Sequence, residues 1–295
     1  MLKLNYQYLV KDEKMKIYNT VPYFLENFYT NKQFLQNYHE KFSSHLKEYF
    51  LYHCKNADEK IKTAMEKYPN AIEEIKECNL KIESFIKQIV EAYELKYKVK
   101  FTNNVHIIVG CYGSNAFTHR QIIPDVTFCL EKLSPEDNHL KVIIAHEFGH
   151  VLHNILTERA GIDWSKLQWN HPYTWLLQEG CATYFSKQVA VAKESVYFAY
   201  DDRGEEWLRF AQNNTEEIIT SFLKDFKTDS QNVFKEWFSI NGGTRFGHTR
   251  LGYYIGFVAI NRLILKHGEL KAITFWKEPN FIEEMEQVLM EIKKS

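Results

Sequence analysis

The most informative segment of the chain spans residues 142–152, whose sequence is VIIAHEFGHVL. On an α-helix, positions i and i+4 lie on one face about one turn apart, so the imidazoles of His146 and His150 can reach a single ion. Two histidine nitrogens provide half of a tetrahedral zinc site, and zinc lowers the pKa of a bound water to about 7. Glu147, next to the first histidine, can accept the proton of that water. The segment therefore predicts a zinc-binding helix with Glu147 as general base.

The flanking sequence favours a buried helix around this motif. Residues 134–137, Ser-Pro-Glu-Asp, are typical of an N-cap, a proline at the first helical position and acids in the first turn. Apolar residues then recur at helical spacing and anchor one side of the helix in a core, whereas the two histidines fall off this stripe. On the motif alone, an ordinary buried helix with hydrogen-bonded histidines is the alternative. The stripe consists of Leu140, Ile144, Phe148, Val151 and Ile155.

A third ligand is predicted within residues 175–185, WLLQEGCATYF. This apolar segment carries one acid, Glu179, and an unpaired buried carboxylate is costly, so the side chain should have a cation as its partner. Zinc bound by His146 and His150 would be that cation. Cys181 is the alternative ligand, but two positions along a helix rotate it about 200° away from Glu179, and a small buried hydrophobe is the commoner role of a free cysteine.

His153 is a further histidine on the predicted helix. It follows His146 by about two turns and lies on nearly the same face, but about 10 Å further along the axis. The two side chains cannot share an ion at that distance. We expect His153 to line a groove or to be solvated.

The two segments together form an HExxH helix followed, after residues 151–178, by a glutamate, and in this the chain resembles the gluzincin zinc metallopeptidases. Residues 175–185 are similar to the glutamate segment of zinc aminopeptidases and of the minigluzincin-related family of zinc-dependent proteases. The similarity covers residues 101–190 and extends to residues 252–257, GYYIGF, which resemble a glycine and tyrosine motif of the latter group. It implies a thermolysin-like core, a zinc cofactor and Glu147 as the base. The ligands that it implies are His146, His150 and Glu179.

The resemblance is incomplete at two points. Thr183 stands where thermolysin-like enzymes have an acid that orients a histidine, so support of the ligands by neighbouring groups should be weaker or come from elsewhere. The sequence also lacks the glutamate motif by which aminopeptidases grip the free amine of a substrate. It therefore favours an endopeptidase or oligopeptidase over an exopeptidase.

Two β-branched segments, residues 105–110 and 125–130, predict strands before the metal-binding helix. In gluzincins the edge strand of a short sheet pairs with the extended substrate, which explains peptide binding with loose sequence preference. Residues 114–117 resemble that edge strand, although an ordinary loop fits them equally well. Helices are predicted on both sides of this core, including one that begins at Thr215 and a terminal one from Phe281.

An oxyanion-stabilising group is predicted within residues 247–256, GHTRLGYYIG. Polar residues open a helix whose later part is almost wholly apolar, so they should lie where a buried helix meets a cleft. The resemblance makes Tyr253 the first choice for this role, with Tyr254, His248 and Arg250 as alternatives. A tyrosine that is hydrogen-bonded in the core is the competing interpretation.

Composition limits the class of protein. With 295 residues, 45% of them hydrophobic, the chain can bury a large core. Lys and Arg total 37 against 38 for Asp and Glu, a balance that favours neither nucleic acid nor an anionic membrane as partner. Residues 1–7 lack the features of a secretory signal, no segment approaches a membrane span, and five cysteines without a framework spacing suit a reducing compartment. We therefore expect a cytoplasmic protein.

The sequence as a whole predicts a mostly helical α+β protein with a gluzincin core. Residues 1–100 are assigned to a helical region, 101–190 to the metallopeptidase core and 191–295 to a helical region that completes the cleft, although one continuous domain fits as well. The predicted function is zinc-dependent hydrolysis of a peptide or protein substrate, with no nucleic acid and no membrane as partner. A hydrolase of non-peptide amides and a catalytically silent metal-binding protein are the alternatives. The sequence specifies neither the cleavage preference nor the oligomeric state.

Overall fold

The computed structural model describes residues 14–29, 32–228 and 230–294, so residues 1–7, on which the secretory-signal prediction rests, lie outside the described part. The described chain is mostly α-helical with one small sheet, as predicted for an α+β protein. The helices of the described residues are α1 (Val21–Asn27), α2 (Lys32–Lys41), α3 (Ser43–Glu48), α4 (Ala57–Tyr97), α5 (Asp137–Arg159), α6 (Pro172–Val189), α7 (Val196–Ala199), α8 (Gly204–Asn213), α9 (Thr215–Thr228), α10 (Ser230–Phe238), α11 (Leu251–His267), α12 (Glu269–Ile273) and α13 (Phe281–Lys293). Its strands are β1 (Ile17–Asn19), β2 (Val105–Ile108), β3 (Ala116–Thr118) and β4 (Val126–Cys129). None of these helices combines the length and the apolar character needed to cross a membrane.

The sheet has the strand order β1-β2-β4-β3, with β3 antiparallel to β4 at one edge and the other pairs parallel. The two predicted strands are confirmed as β2 and β4, whose residues are all buried because their branched side chains face the core on both sides. The edge strand predicted near residues 114–117 forms at Ala116–Thr118. Strand β1 has only three residues, too few for an alternating pattern to show in the sequence.

Helix α5 carries the HExxH segment and is buried on nearly every side. It contacts α4, α6, α7, α12 and β3. The predicted start is wrong, because α5 begins at Asp137 after an extended Glu136 and receives no side-chain cap. The hydroxyl of Ser134 is instead 2.8 Å from His139 Nδ1 and accepts the backbone N–H of Glu136 at 3.3 Å. Ser134 therefore interacts with Glu136, just before the helix, and with His139 in its first turn, and its side chain does not cap the helix terminus.

Three helices pack with their backbones in direct contact at glycine positions. A Cβ added to Gly149 of α5 would lie 3.0 Å from the Cα atom of Ala182 in α6. A Cβ added to Gly180 of α6 would lie 2.5 Å from the carbonyl carbon of Gly256 in α11. Such distances leave no room for a side chain, since ordinary contacts begin at 3.4 Å. Helix α6 is therefore held close to α5 on one side and to α11 on the other.

The outer helices match the sequence prediction where their apolar pattern is strong. The apolar stripe of residues 82–93 lies on α4, a helix that reaches from Ala57 to Tyr97. Helix α9 begins at Thr215 and α13 at Phe281, as predicted. In these helices the apolar side chains that recur at helical spacing are the ones that face the core.

Candidate metal centre

The predicted ligands meet between two helices. His146 and His150 lie one turn apart on α5, and Glu179 extends from α6 toward both rings. Glu179 Oε2 is 3.3 Å from His146 Nε2 and 3.6 Å from His150 Nε2. One ligand atom from each of the three residues lies within 4.8 Å of the other two. Ligand atoms on a tetrahedral zinc, with bonds of about 2.0–2.1 Å, are about 3.4 Å apart, so the donor set fits that metal in kind and in spacing.

The charges of these three side chains are coupled. Burial raises the pKa of the Glu179 carboxyl, but His150 and His146 stabilise the carboxylate more strongly and hold its pKa well below the usual value. Burial lowers the pKa of His146 to about 4, and Glu179 only partly opposes this effect. The glutamate is therefore ionised and His146 neutral near pH 7. These are the forms in which carboxylate and imidazole bind a metal.

Glu147 is 7% exposed and points into the same region without belonging to the ligand group. Burial raises the pKa of Glu147 to about 7, although the neighbouring His150 opposes the shift. A carboxylate whose pKa lies near neutrality can both accept and return a proton at the working pH. Glu147 therefore has the electrostatic properties of a general base.

Two tyrosines and an arginine surround His146. The ring of Tyr253 lies 5.8 Å from that of His146 and nearly parallel to it, and the ring of Tyr200 lies 5.4 Å away, edge-on. Burial raises the pKa of Tyr253 well above its usual value, and the charge of Glu179 adds to the effect. The guanidinium carbon of Arg250 is 5.6 Å from the centre of the Tyr200 ring and 5.7 Å from that of Tyr253. Sequence reasoning missed Tyr200, which follows the short helix α7 and carries no motif.

The structure separates the candidates for oxyanion stabilisation. The hydroxyl of Tyr254 is 2.9 Å from that of Thr215, and its ring packs toward Phe198. His248 stacks on Phe210 with 4.2 Å between ring centres. Tyr254 and His248 therefore have structural partners of their own, whereas Tyr253 and Arg250 lie near the candidate metal ligands.

The prediction for His153 is wrong. This side chain is fully buried, its Nε2 atom is 2.8 Å from the carbonyl oxygen of Ile273, and its ring stacks on Trp276 at 4.0 Å. The end of α5 is covered by α12 and the turn that follows it, so the face that carries the ligands ends in core. The face of α5 that carries the candidate ligands is therefore covered by other residues at the turn that carries His153.

Cys181 and Thr183 follow Glu179 on α6 and are both fully buried. Burial raises the pKa of the Cys181 thiol well above its usual value, which suits the predicted role as a small hydrophobe. Within the described part of the chain, neither Thr183 Oγ1 nor His146 Nδ1 has a hydrogen-bond partner. This agrees with the expectation that Thr183 does not replace the orienting acid of thermolysin-like enzymes.

Two cavities lie close to the candidate centre. His150 lines one cavity of about 810 Å³, together with Asn154, Trp169 and Trp175. Tyr200 and Arg250, which surround His146, line a second cavity of about 790 Å³. The candidate ligands therefore adjoin one cavity directly, through His150, and a second cavity through the neighbouring Tyr200 and Arg250.

Glu131 also lines the second cavity, and its carboxyl group is held against the backbone. Its oxygens accept the N–H groups of Gly110 at 2.8 Å and of Tyr112 at 3.0 Å. Burial raises the pKa of Glu131 to about 7 even though these hydrogen bonds act in the opposite direction. The group is therefore partly protonated near neutral pH.

Comparison with protein families shows which family the chain belongs to. A family model described as "Putative zinc dependent peptidase (DUF5700)" matches residues 25–267. The chain belongs to this zinc dependent peptidase family. Searches of curated proteins and of solved structures gave no match. The family is described as zinc dependent, so zinc is the cofactor, and the described residues include two groups of side chains that could hold a metal ion. These groups are His146 with His150 and Glu179, and His106 with His119 and Asp125.

Proposed function

We propose that the protein is a zinc metallopeptidase of gluzincin type, in which His146, His150 and Glu179 hold the metal. The observation that carries the proposal is the meeting of two imidazoles and one carboxylate, from two helices, beside a cavity that His150 lines. The second group of possible ligands has no glutamate next to a ligand in the sequence, whereas Glu147 adjoins His146. Assignment to a zinc dependent peptidase family supports the same conclusion.

Zinc held by these residues supplies a Lewis acid that lowers the pKa of a bound water and polarises the carbonyl of the scissile bond. Glu147 accepts a proton from the attacking water while the oxygen of the water bonds to the carbonyl carbon. The same carboxyl group then gives the proton to the amide nitrogen, and the carbon–nitrogen bond breaks to release a free amine. A buried carboxyl with a pKa of about 7 suits both transfers.

Tyr253 is proposed to donate a hydrogen bond to the oxyanion that forms at the former carbonyl oxygen. The phenol lies beside His146 and Glu179, and burial keeps it protonated, so its O–H is available as a donor. Arg250 and Tyr200 adjoin Tyr253 and would strengthen the positive potential around the same oxygen. Tyr253 remains the first choice because its hydroxyl lies within hydrogen-bonding reach of Glu179.

The substrate is proposed to be an extended peptide that is cleaved internally, by an endopeptidase or oligopeptidase. Strand β3 is an edge strand and contacts α5, so its free edge can pair with a peptide backbone near the ligands. The two cavities near the centre provide space for residues before and after the scissile bond.

The variant Glu147→Gln tests the proposed base. Glutamine is nearly isosteric but cannot accept the proton, so zinc content should stay unchanged while turnover of a peptide substrate falls by about 10²-fold or more. Glu158→Gln is the matched control, because Glu158 is an exposed acid on the same helix. Full turnover in a zinc-loaded Glu147→Gln protein would exclude the mechanism.

Acetylation of the amino terminus of a cleaved peptide tests the proposed cleavage mode. Acetylation removes the positive charge, so an endopeptidase should cleave the blocked peptide at a similar rate. Mass spectrometry of the products locates the cleaved bond. Strict dependence on a free amine would show that the enzyme is an aminopeptidase.

A further inference from the structure

We propose that the protein binds a second zinc ion through His106, His119 and Asp125, at a position that we name the hairpin site. None of these residues takes part in the proposed catalytic centre. One ligand atom from each lies within 4.8 Å of the other two, the same criterion that the catalytic ligands satisfy. Two imidazoles and one carboxylate form a donor set that zinc prefers.

The sheet brings the three residues together. His106 lies on β2 and pairs in register with Thr127 of β4, so both side chains stand on one face. His119 is the first residue after β3, and Asp125 is the last before β4, so the two lie at opposite ends of the β3–β4 connection. The backbone N–H of His119 donates to the carbonyl of Asp125 at 2.8 Å and closes the base of that connection.

The distances suit one ion between these side chains. His106 Nε2 is 3.7 Å from Asp125 Oδ2, close to the 3.6 Å between His150 and Glu179 at the catalytic centre. The rings of His106 and His119 have centres 5.2 Å apart and lie nearly parallel, at 10°, so a shared ion requires one ring to turn. Two imidazoles bound to one tetrahedral zinc have centres roughly 5 Å apart.

Neighbouring groups hold each ligand in place. Nε2 of His119 is 2.7 Å from Oγ1 of Thr127. Nδ1 of His106 is 3.0 Å from Nδ1 of His45, which leaves Nε2 directed toward Asp125. The second oxygen of Asp125 accepts the backbone N–H of Asn104 at 2.6 Å. His106 is only 7% exposed, so its environment is fixed by the fold. Metal ligands in proteins are commonly oriented by such outer hydrogen bonds, which lower the cost of binding the ion.

A metal at the hairpin site would fix one wall of the substrate cleft. Residues 119–125 form the loop whose ends carry His119 and Asp125, and the loop lines the same cavity as His150. The carbonyl of Ile122, near the middle of this loop, accepts a hydrogen bond from Asn154 of α5 at 2.7 Å. Joining both ends of the loop to β2 through one ion would hold β3 and the loop in place beside the catalytic helix. The proposed role is therefore structural.

Zinc stoichiometry tests the hairpin site in the full chain. The protein is stripped with a chelator, dialysed against buffered Zn²⁺ and measured by elemental analysis. We expect two zinc ions per chain, one after His119→Gln, one after Glu179→Gln, and none after both changes. His267→Ala is the control, since His267 pairs with the carboxyl of Glu284 at 2.8 Å but belongs to neither ligand group, and should retain two.

Thermal unfolding gives a second readout that does not depend on activity. In the Glu179→Gln background, Zn²⁺ at about 100 times its dissociation constant should raise Tm by about 5 °C, and adding His119→Gln should abolish the rise. Circular dichroism before zinc addition shows whether each variant is folded. One zinc per chain in the wild type and in folded His119→Gln, lost in Glu179→Gln, would overturn the hairpin site and leave the proposed catalytic centre intact.

Discussion

Replacing Gly180 by alanine should damage catalysis while leaving zinc bound. Gly180 adjoins Glu179 on α6 and faces the backbone of α11, where a new Cβ would lie 2.5 Å from the carbonyl carbon of Gly256. Ordinary contact begins at 3.4 Å, so α6 and α11 must separate by about 1 Å. The contact is between two backbones, and no rotation of a side chain can relieve it.

The expected losses of stability and of kcat follow from the residues that α6 and α11 carry. Overpacking of this kind costs about 1–3 kcal/mol of unfolding free energy. Tyr253 lies on α11, one turn before Gly256, so the separation moves its phenol away from Glu179 by a similar distance. Misplacing a group by about 1 Å can cost about 10²-fold in rate, and we expect a fall of that order in kcat. The proposed zinc ligands lie on α5 and α6, whose mutual contact the substitution does not alter.

The assay combines urea denaturation, zinc analysis and peptide turnover for Gly180→Ala beside Gly161→Ala. Gly161 has a φ of +77° and open space around it, so alanine there adds a backbone strain of about 1–2 kcal/mol without moving a helix. The two variants should lose similar stability, but only Gly180→Ala should lose turnover. Wild-type kcat in folded Gly180→Ala would show that the position of α11 does not govern the chemistry.

Three further outcomes are expected. Tyr253→Phe should lower kcat by about 10²–10³-fold with little change in KM, and Tyr254→Phe should be nearly neutral; the reverse ranking in steady-state kinetics would move the role to Tyr254. Glu179→Gln should abolish zinc binding at the catalytic centre, and unchanged zinc affinity in a competition titration would point to another third ligand. The folded-state pKa of Glu131 is raised to about 7, so the folded protein holds the carboxyl proton more tightly than the unfolded chain does. The contribution of Glu131 to the free energy of unfolding is therefore highest at low pH and falls as pH rises from about 4.5 to 7. Urea denaturation should therefore show Glu131→Gln gaining about 2.5 kcal/mol relative to wild type between pH 5 and 8, and a constant difference would contradict the shifted pKa.

Local patterns were sufficient for several parts of this protein. The spacing of His146 and His150 on one helix face is a property of a single helix, so the sequence predicts it without knowledge of the fold. The strands β2 and β4 were predicted for the same reason, because β-branched runs bounded by turn residues favour extended backbone. Glu179 was predicted from energetics, since one acid in an apolar helix requires a cationic partner.

Other features depended on contacts between segments that are distant in the chain. His153 was expected at a groove or in solvent and is core, because α12 and the turn after it cover that end of α5. Ser134 differs, because it was expected to cap α5 and its hydroxyl is instead engaged locally by His139 and Glu136. Each of these side chains had more than one possible partner, and only packing selects among them.

The sequence by itself determined the chemistry that this chain can supply: two histidines one helical turn apart, an adjacent carboxylate and a third candidate ligand on another helix. Only the tertiary structure decided which groups surround that chemistry. Tyr200 reaches His146 from a loop without a motif, and His106 and His119 meet because β2, β3 and β4 share a sheet. The periodicity of a sequence predicts which residues share a face of one helix or strand. Contacts between residues of separate elements depend on how those elements pack, which no local sequence pattern specifies.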